Sequence, residues 1–185
     1  MNAFSTSAST ENATQARAQL LEAIRLSPDN GRLPLALGEA EMDLKNFSGA
    51  LSAYAVAAGL LPREARVYSG QALAFQKLGR SSDAAHAAVL AVSLDPNDIR
   101  ALKVLARIHL DAWQHEAAEE TCHRVLQLNA DDAEARQLLE EASVQEAKLA
   151  ENLLGRPLVA ACAILPPKVD PRRSKLIRRS EPTAV

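Results

Sequence analysis

The segment PNDIRALKVLARIHLDAWQHEAAEETCHRVLQLNA, Pro96–Ala130, decides how the rest of the chain is read. Leu102, Leu105 and Ala106 mark one helix by their spacing, and Ala118, Cys122, Val125 and Leu128 mark a second. Shifted back by 34 residues, the same template reads Tyr68, Gln71, Ala72, then Ala84, Ala88, Ala91 and Leu94, closing on Asp95-Pro96. Shifted back again, it reads Leu37-Gly38, then Ala50, Tyr54, Ala57 and Leu60, closing on Leu61-Pro62. Self-similarity at such a period is the mark of a helical repeat array, in which each hairpin buries its apolar face by stacking on its neighbours. The expected fold class is therefore all-α.

Composition agrees with this. Apolar residues make up 48% of the 185 residues but aromatics only 3%, so the core is to be built from Ala, Leu and Val at close helix–helix distances. Charge is unevenly spread. Residues 156–185 hold seven of the 21 Lys and Arg and two of the 23 acids, which leaves residues 1–155 with 14 against 21, a net of -7. Two cysteines, Cys122 and Cys162, make no disulfide framework and point to a reducing compartment. Met1 to Asn12 lacks the basic and apolar regions of a secretory signal, and the apolar run Leu158 to Leu165 is too short to cross a bilayer. A cytoplasmic protein is expected.

Taken in order, residues 1–12 are small and polar and read as a disordered lead. Residues 13–30 read as a half repeat, a single helix on Ala16, Leu20, Ala23 and Ile24 that stops at Ser27-Pro28-Asp29-Asn30-Gly31 and caps the array. Full units follow at 31–64, 65–98 and 99–132, with turns near Lys45-Asn46-Phe47, Leu78-Gly79-Arg80-Ser81 and Ala112-Trp113-Gln114. Gly79 suits a left-handed helix end, and Ser81 or Ser82 is expected to cap the next helix. Asp131 or Asp132 is expected to cap a last helix over 133–154, polar on its outer side. Beyond it, residues 155–185 form a Pro-containing basic tail, expected to be disordered.

Residues 13–150 resemble the tetratricopeptide repeat (TPR) family. Small residues sit where that family packs closely, at Gly38, Ala72 and Ala106 in the first helices and Ala50, Ala84 and Ala118 in the second, and Pro28, Pro62 and Pro96 close units in one register. Departures are Gln71 for a usual Leu, Glu41 for a usual aromatic, Trp113 for a usual Gly and Ala130 for the closing proline. The resemblance implies a right-handed superhelix of antiparallel hairpins, about three full repeats with a capping helix at each end. It further implies a concave face, lined by the first helices, that holds a peptide or helix of a partner protein.

Helical periodicity places Arg32, Leu35, Glu39, Met42 and Asp43 on that face, then Arg66, Ser69, Leu73, Gln76 and Lys77, then Arg100, Lys103, Arg107, Leu110 and Asp111. Its middle is expected to be basic. Arg32, Arg66 and Arg100 recur at the repeat period, and with Gln76, Lys77, Lys103 and Arg107 they form the candidate partner-binding set. A guanidinium fork grips a carboxylate with two bonds, so the set points to an acidic partner. The plainer reading is solvated residues copied by duplication, although a cation near a helix N-terminus opposes the helix dipole. The carboxylate clamp of heat-shock adaptors needs Lys and Asn where this chain has Leu35, Glu39, Gly70, Arg100 and Val104, and only Arg100 fits.

His109, His115, Cys122 and His123 match no standard zinc spacing, so no metal and no other cofactor is expected. No phosphate loop, nucleophile elbow or metalloprotease motif occurs, which argues against an enzyme and a small-molecule substrate. Arg172, Arg173, Lys175, Arg178 and Arg179 form a second candidate contact, electrostatic in kind and without the interleaved aromatics that nucleic-acid stacking requires. The expected function is a protein-interaction scaffold or adaptor. The alternatives are the TPR portion or targeting subunit of a bacterial glycosyltransferase or methyltransferase, and a TPR chaperone of a secretion system.

Overall fold

The computed structural model describes the backbone of residues 3–154 and the side chains of 11–149 and 151. It contains eight α-helices and, among the described residues, no strand: α1 (Ala3–Leu26), α2 (Arg32–Asp43), α3 (Phe47–Leu60), α4 (Ala65–Lys77), α5 (Ser81–Leu94), α6 (Ile99–Asp111), α7 (His115–Leu128) and α8 (Ala133–Leu154). The chain divides into two compact units, Met1–Gln145 and Glu146–Val185. The described part of the second is the end of α8, where Ala147 and Leu149 continue the apolar spacing yet stand exposed.

Helices α2/α3, α4/α5 and α6/α7 form three hairpins that stack in order, with α1 against α2. Their contact surfaces are lined by alanine. Ala50, Ala57, Ala72, Ala84, Ala88, Ala91, Ala101 and Ala118 are fully buried, which lets the helix axes approach closely, and Leu102, Leu110, Val125 and Leu138 fill the wider gaps. Leu105 is only partly buried, beside Ala72, Ala84 and Val104. First helices also touch one another, α2 on α4 and α4 on α6, whereas among the described residues α3 and α5 make no such approach. Within this unit the α2/α4/α6 side is thus the inner one.

Each hairpin turns through one residue in the left-handed region: Lys45 at φ 58°, Gly79 at 73° and Trp113 at 60°. The three stand one repeat apart. Only the second is glycine, so the other two turns hold a side chain where it costs about 1–2 kcal/mol. The third turn therefore keeps the geometry of the others without its glycine.

Capping follows the local chemistry. Asn46 accepts from the Gly49 amide at 3.2 Å, Asp98 from Ala101 at 3.1 Å and Asp132 from Ala135 at 2.9 Å, so Asp132, not Asp131, caps α8. The expected cap at Ser81 or Ser82 is not formed. Helix α5 starts at Ser81 with Arg80 at the cap position, and Arg80 instead pairs with Asp83 at 2.7 Å and lies over the Phe75 ring. The expected lead is also corrected, since α1 begins at Ala3. Nothing between Ala3 and Leu26 is Gly or Pro, so no residue there halts the helix once α2 anchors its C-terminal half.

One aromatic breaks the alanine pattern. Tyr54 stands where the later units have Ala88 and Cys122, is 1% exposed, and has Gly38 and Gly70 against its ring. A Cβ at Gly70 would lie 2.5 Å from Tyr54 Cζ, and one at Gly38 would run into Cε1. The two glycines make room for the ring. Burial, with the Glu39 carboxylate nearby, pushes the Tyr54 hydroxyl up to about 12.

Candidate functional site

The arginine ladder stands at the start of three successive first helices. Arg32 opens α2, while Arg66 and Arg100 are the second residues of α4 and α6. What the sequence does not reveal is their counter-ion. Glu39, one turn from the end of α2, accepts from Arg66 Nη2 at 2.8 Å, and Arg100 Nη1 lies 3.7 Å from the same oxygen. Two ladder arginines thus converge on one carboxylate. Glu39 is 27 residues from Arg66, and only hairpin stacking brings them together. Beside them, Arg32, Leu35, Ala36, Glu39, Glu64 and Arg66 line an open recess of about 410 Å³.

Further along, the cations are already engaged. Lys103 Nζ sits 3.2 Å from Asp132 and 2.8 Å from Glu134, and Arg107 pairs with Glu141, so both fasten α6 to α8. Burial works against the Lys103 charge, but Glu134 and Asp132 outweigh it and hold its pKa above the ordinary value. Asp132 is held below the usual carboxylate range by the Ala135 amide and by Lys103, and Glu141 by Arg107. The expected basic middle is therefore largely neutralised from within.

Of the remaining face, Ser69 and Leu110 are not groove residues but core, at 0% and 1% exposure, while Leu35, at 6%, is mostly core and shows only an edge to the recess. Periodicity gives a side chain's direction on its own helix, not how far the next hairpin covers it. Lys103 shares the register of Leu35 and Ser69, which explains why it too is enclosed, at 22% exposure. Gln76 is half-buried and Lys77 exposed, both in the last turn of α4. Arg172, Arg173, Lys175, Arg178 and Arg179 lie outside the described residues, as does the rest of the expected tail.

The cysteine and histidines have separate structural settings. Cys122 is fully buried among Ala106, Leu110, Ala118, Leu138 and Ala142, and burial pushes its thiol up. His109 Nδ1 lies 2.7 Å from Gln114 Oε1, and Trp113 packs edge-on to His115. Among the described residues no group of three or more His, Cys, Asp or Glu stands together as a metal site. No helix among them is long and apolar enough to cross a membrane.

The array of stacked hairpins is similar to one group of solved structures. The TPR2B domain of yeast Sti1, in complex with pHsp70, superposes with a TM-score of 0.57 and 26% identity, over 62% of this chain and 97% of that one. The fold is that of the tetratricopeptide repeat. MamA is similar over more of it, with a TM-score of 0.64 at 17% identity, covering 80% of this chain and 86% of its own. Among curated proteins, Superkiller protein 3 of Schizosaccharomyces pombe is 29% identical over 114 residues, 62% of this chain. The chain spans 8% of that relative's length. No protein-family model matches the sequence.

Proposed function

We propose that the α2/α4/α6 face is a docking groove for an acidic segment of a partner protein, and that the chain acts as an adaptor without chemistry of its own. One observation carries this reading: Arg66 and Arg100 gather around a single carboxylate oxygen of Glu39. The pair is built to hold a carboxylate, and Glu39 occupies it from within. A partner's Asp, Glu or chain end can take that place, with Arg32 one repeat earlier and Gln76 and Lys77 on the rim to extend the contact. Because Lys103 and Arg107 hold α8, the reading rests on the first two hairpins and the start of the third. The pHsp70 complex of the Sti1 domain supports a peptide as the class of ligand. The scarcity of cysteine suits a reducing setting, and the cytoplasm is the compartment proposed.

Fluorescence anisotropy with acidic and neutral control peptides tests the proposal. Charge reversal at Arg66 and Arg100 together is expected to abolish acidic-peptide binding with helicity unchanged. Equal binding by the variant and the unaltered chain would refute the groove.

A further inference from the structure

Tyr54 belongs to α3, a second helix, yet its ring runs toward the face of the first helices. Gly38 of α2 lies against Cδ1, Cε1 and Cζ, and Gly70 of α4 against Cζ, Cε1 and Cε2, so the ring passes α2 and ends at α4. The hydroxyl reaches beyond Cζ, past Gly70. Glu39 follows Gly38 in the chain, and Arg66 stands one helical turn before Gly70, so this passage leads to the Arg66–Glu39 pair. Four charges act on the hydroxyl, those of Glu39, Arg100, Asp43 and Arg66, and all four belong to α2, α4 or α6.

Within the chain the hydroxyl is spare. Among the described residues it has no hydrogen-bond partner, and although Tyr54 is only 1% exposed, its oxygen is not one of the polar atoms sealed from solvent. A polar group held mostly out of water without a partner is a cost that phenylalanine would avoid while filling the same passage. Packing accounts for the ring and leaves the oxygen unexplained. Burial raises the hydroxyl to about 12, so it keeps its proton and remains a donor at neutral pH.

We infer that Tyr54 is the third donor of the carboxylate seat, its hydroxyl bonding the partner carboxylate that Arg66 and Arg100 grip. This rests on the docking groove proposed above. Each carboxylate oxygen accepts more than one hydrogen bond, so the phenol adds to the guanidinium forks without competing with them. It also sets the register. Arginine recurs at Arg32, Arg66 and Arg100, and alone would let an acidic segment slip by one repeat. The phenol does not recur, because the same position holds Leu20 in α1, Ala88 in α5 and Cys122 in α7. The partner is thus an acidic segment with one carboxylate anchored beside Tyr54.

Fluorescence anisotropy of the full chain with a labelled hexaglutamate peptide at low salt, and hexaglutamine as control, tests this. Tyr54→Phe is expected to weaken hexaglutamate binding by about fivefold. Its salt dependence should stay the same, since no charge is removed, and the free chain should melt no lower. Arg66→Gln should weaken binding too, but with a shallower salt dependence. Full affinity in Tyr54→Phe, with Arg66→Gln still impaired, overturns the inference and leaves the groove standing. A Tyr54→Phe chain that melts lower overturns it as well, because the hydroxyl would then serve the fold. Hexaglutamate binding that neither variant alters, or that does not occur, overturns both the inference and the groove.

Discussion

Arg17 of α1 donates through Nε to Glu41 Oε1 at 2.6 Å, and the other oxygen of that buried carboxylate accepts from Asn46 Nδ2 at 2.8 Å. Glu41 stands where the next unit has Phe75 and the third has His109. All three residues reach the same place across the turn: Glu41 meets Asn46, Phe75 meets Arg80, and His109 meets Gln114. Only in the first hairpin does the pairing also recruit the preceding helix. Arg17→Ala is therefore expected to cost roughly 1–3 kcal/mol, the penalty of leaving a buried polar group short of its partner. Adding Glu41→Leu should restore most of it, because an apolar side chain needs no counter-ion. Urea unfolding of both variants checks the difference.

Tyr54, Gly38 and Gly70 form a second interlocked set. Gly38→Ala alone overpacks the ring and is expected to destabilise by about 1–3 kcal/mol. In a Tyr54→Ala background the sign should reverse, since the clash is gone and alanine is the better helix former by about 1 kcal/mol. A thermal double-mutant cycle showing simple additivity would contradict this packing.

Glu39→Gln should strengthen acidic-peptide binding by roughly fivefold, since an exposed ion pair is worth up to about 1 kcal/mol and its loss frees Arg66 and Arg100. Isothermal titration at low salt measures it. An unchanged or weaker affinity would show that Glu39 does not compete for the site.

Asp132 and Glu141 make the junction of α6 with α8 sensitive to acid. Their folded pKa values lie below the ordinary 3.8 and 4.5, so each stabilises the fold above those values. That stabilisation is lost as the pH falls through the lower folded values. Asp132→Asn with Glu141→Gln should therefore lower the melting temperature at neutral pH and flatten its decline below about pH 4.5.

Trp113→Gly relieves a left-handed backbone at a side chain that is 62% exposed and packs only edge-on to His115. It is expected to raise stability by up to about 1 kcal/mol. A clear loss instead would show that the indole packing outweighs the strain.

The repeat period made the hairpins and their turns legible, because stacking demands small residues at fixed intervals and the chain keeps them. Ala3 to Asn12 was not legible, since Ser and Thr favour caps and turns by themselves and the anchoring of α1 on α2 is tertiary. For the site, Arg66 and Arg100 could be picked out by period alone. Their counter-ion Glu39 could not, nor could the pairing of Lys103 and Arg107 with α8, because contacts between hairpins leave no fixed spacing. The burial of Ser69 and Leu110 is hidden for the same reason: coverage by the next hairpin is not written in a helix's own periodicity.

The ring of Tyr54 makes the units unequal in a way their shared period conceals. Excising residues 65–98 would leave the turns at Lys45 and Trp113 and the closing Pro62 in register, yet it would bring Val104, the counterpart of Gly70, against the phenol where only a hydrogen now fits. The first two hairpins are matched as a lock is to its key. Shuffling that pair would jam the array.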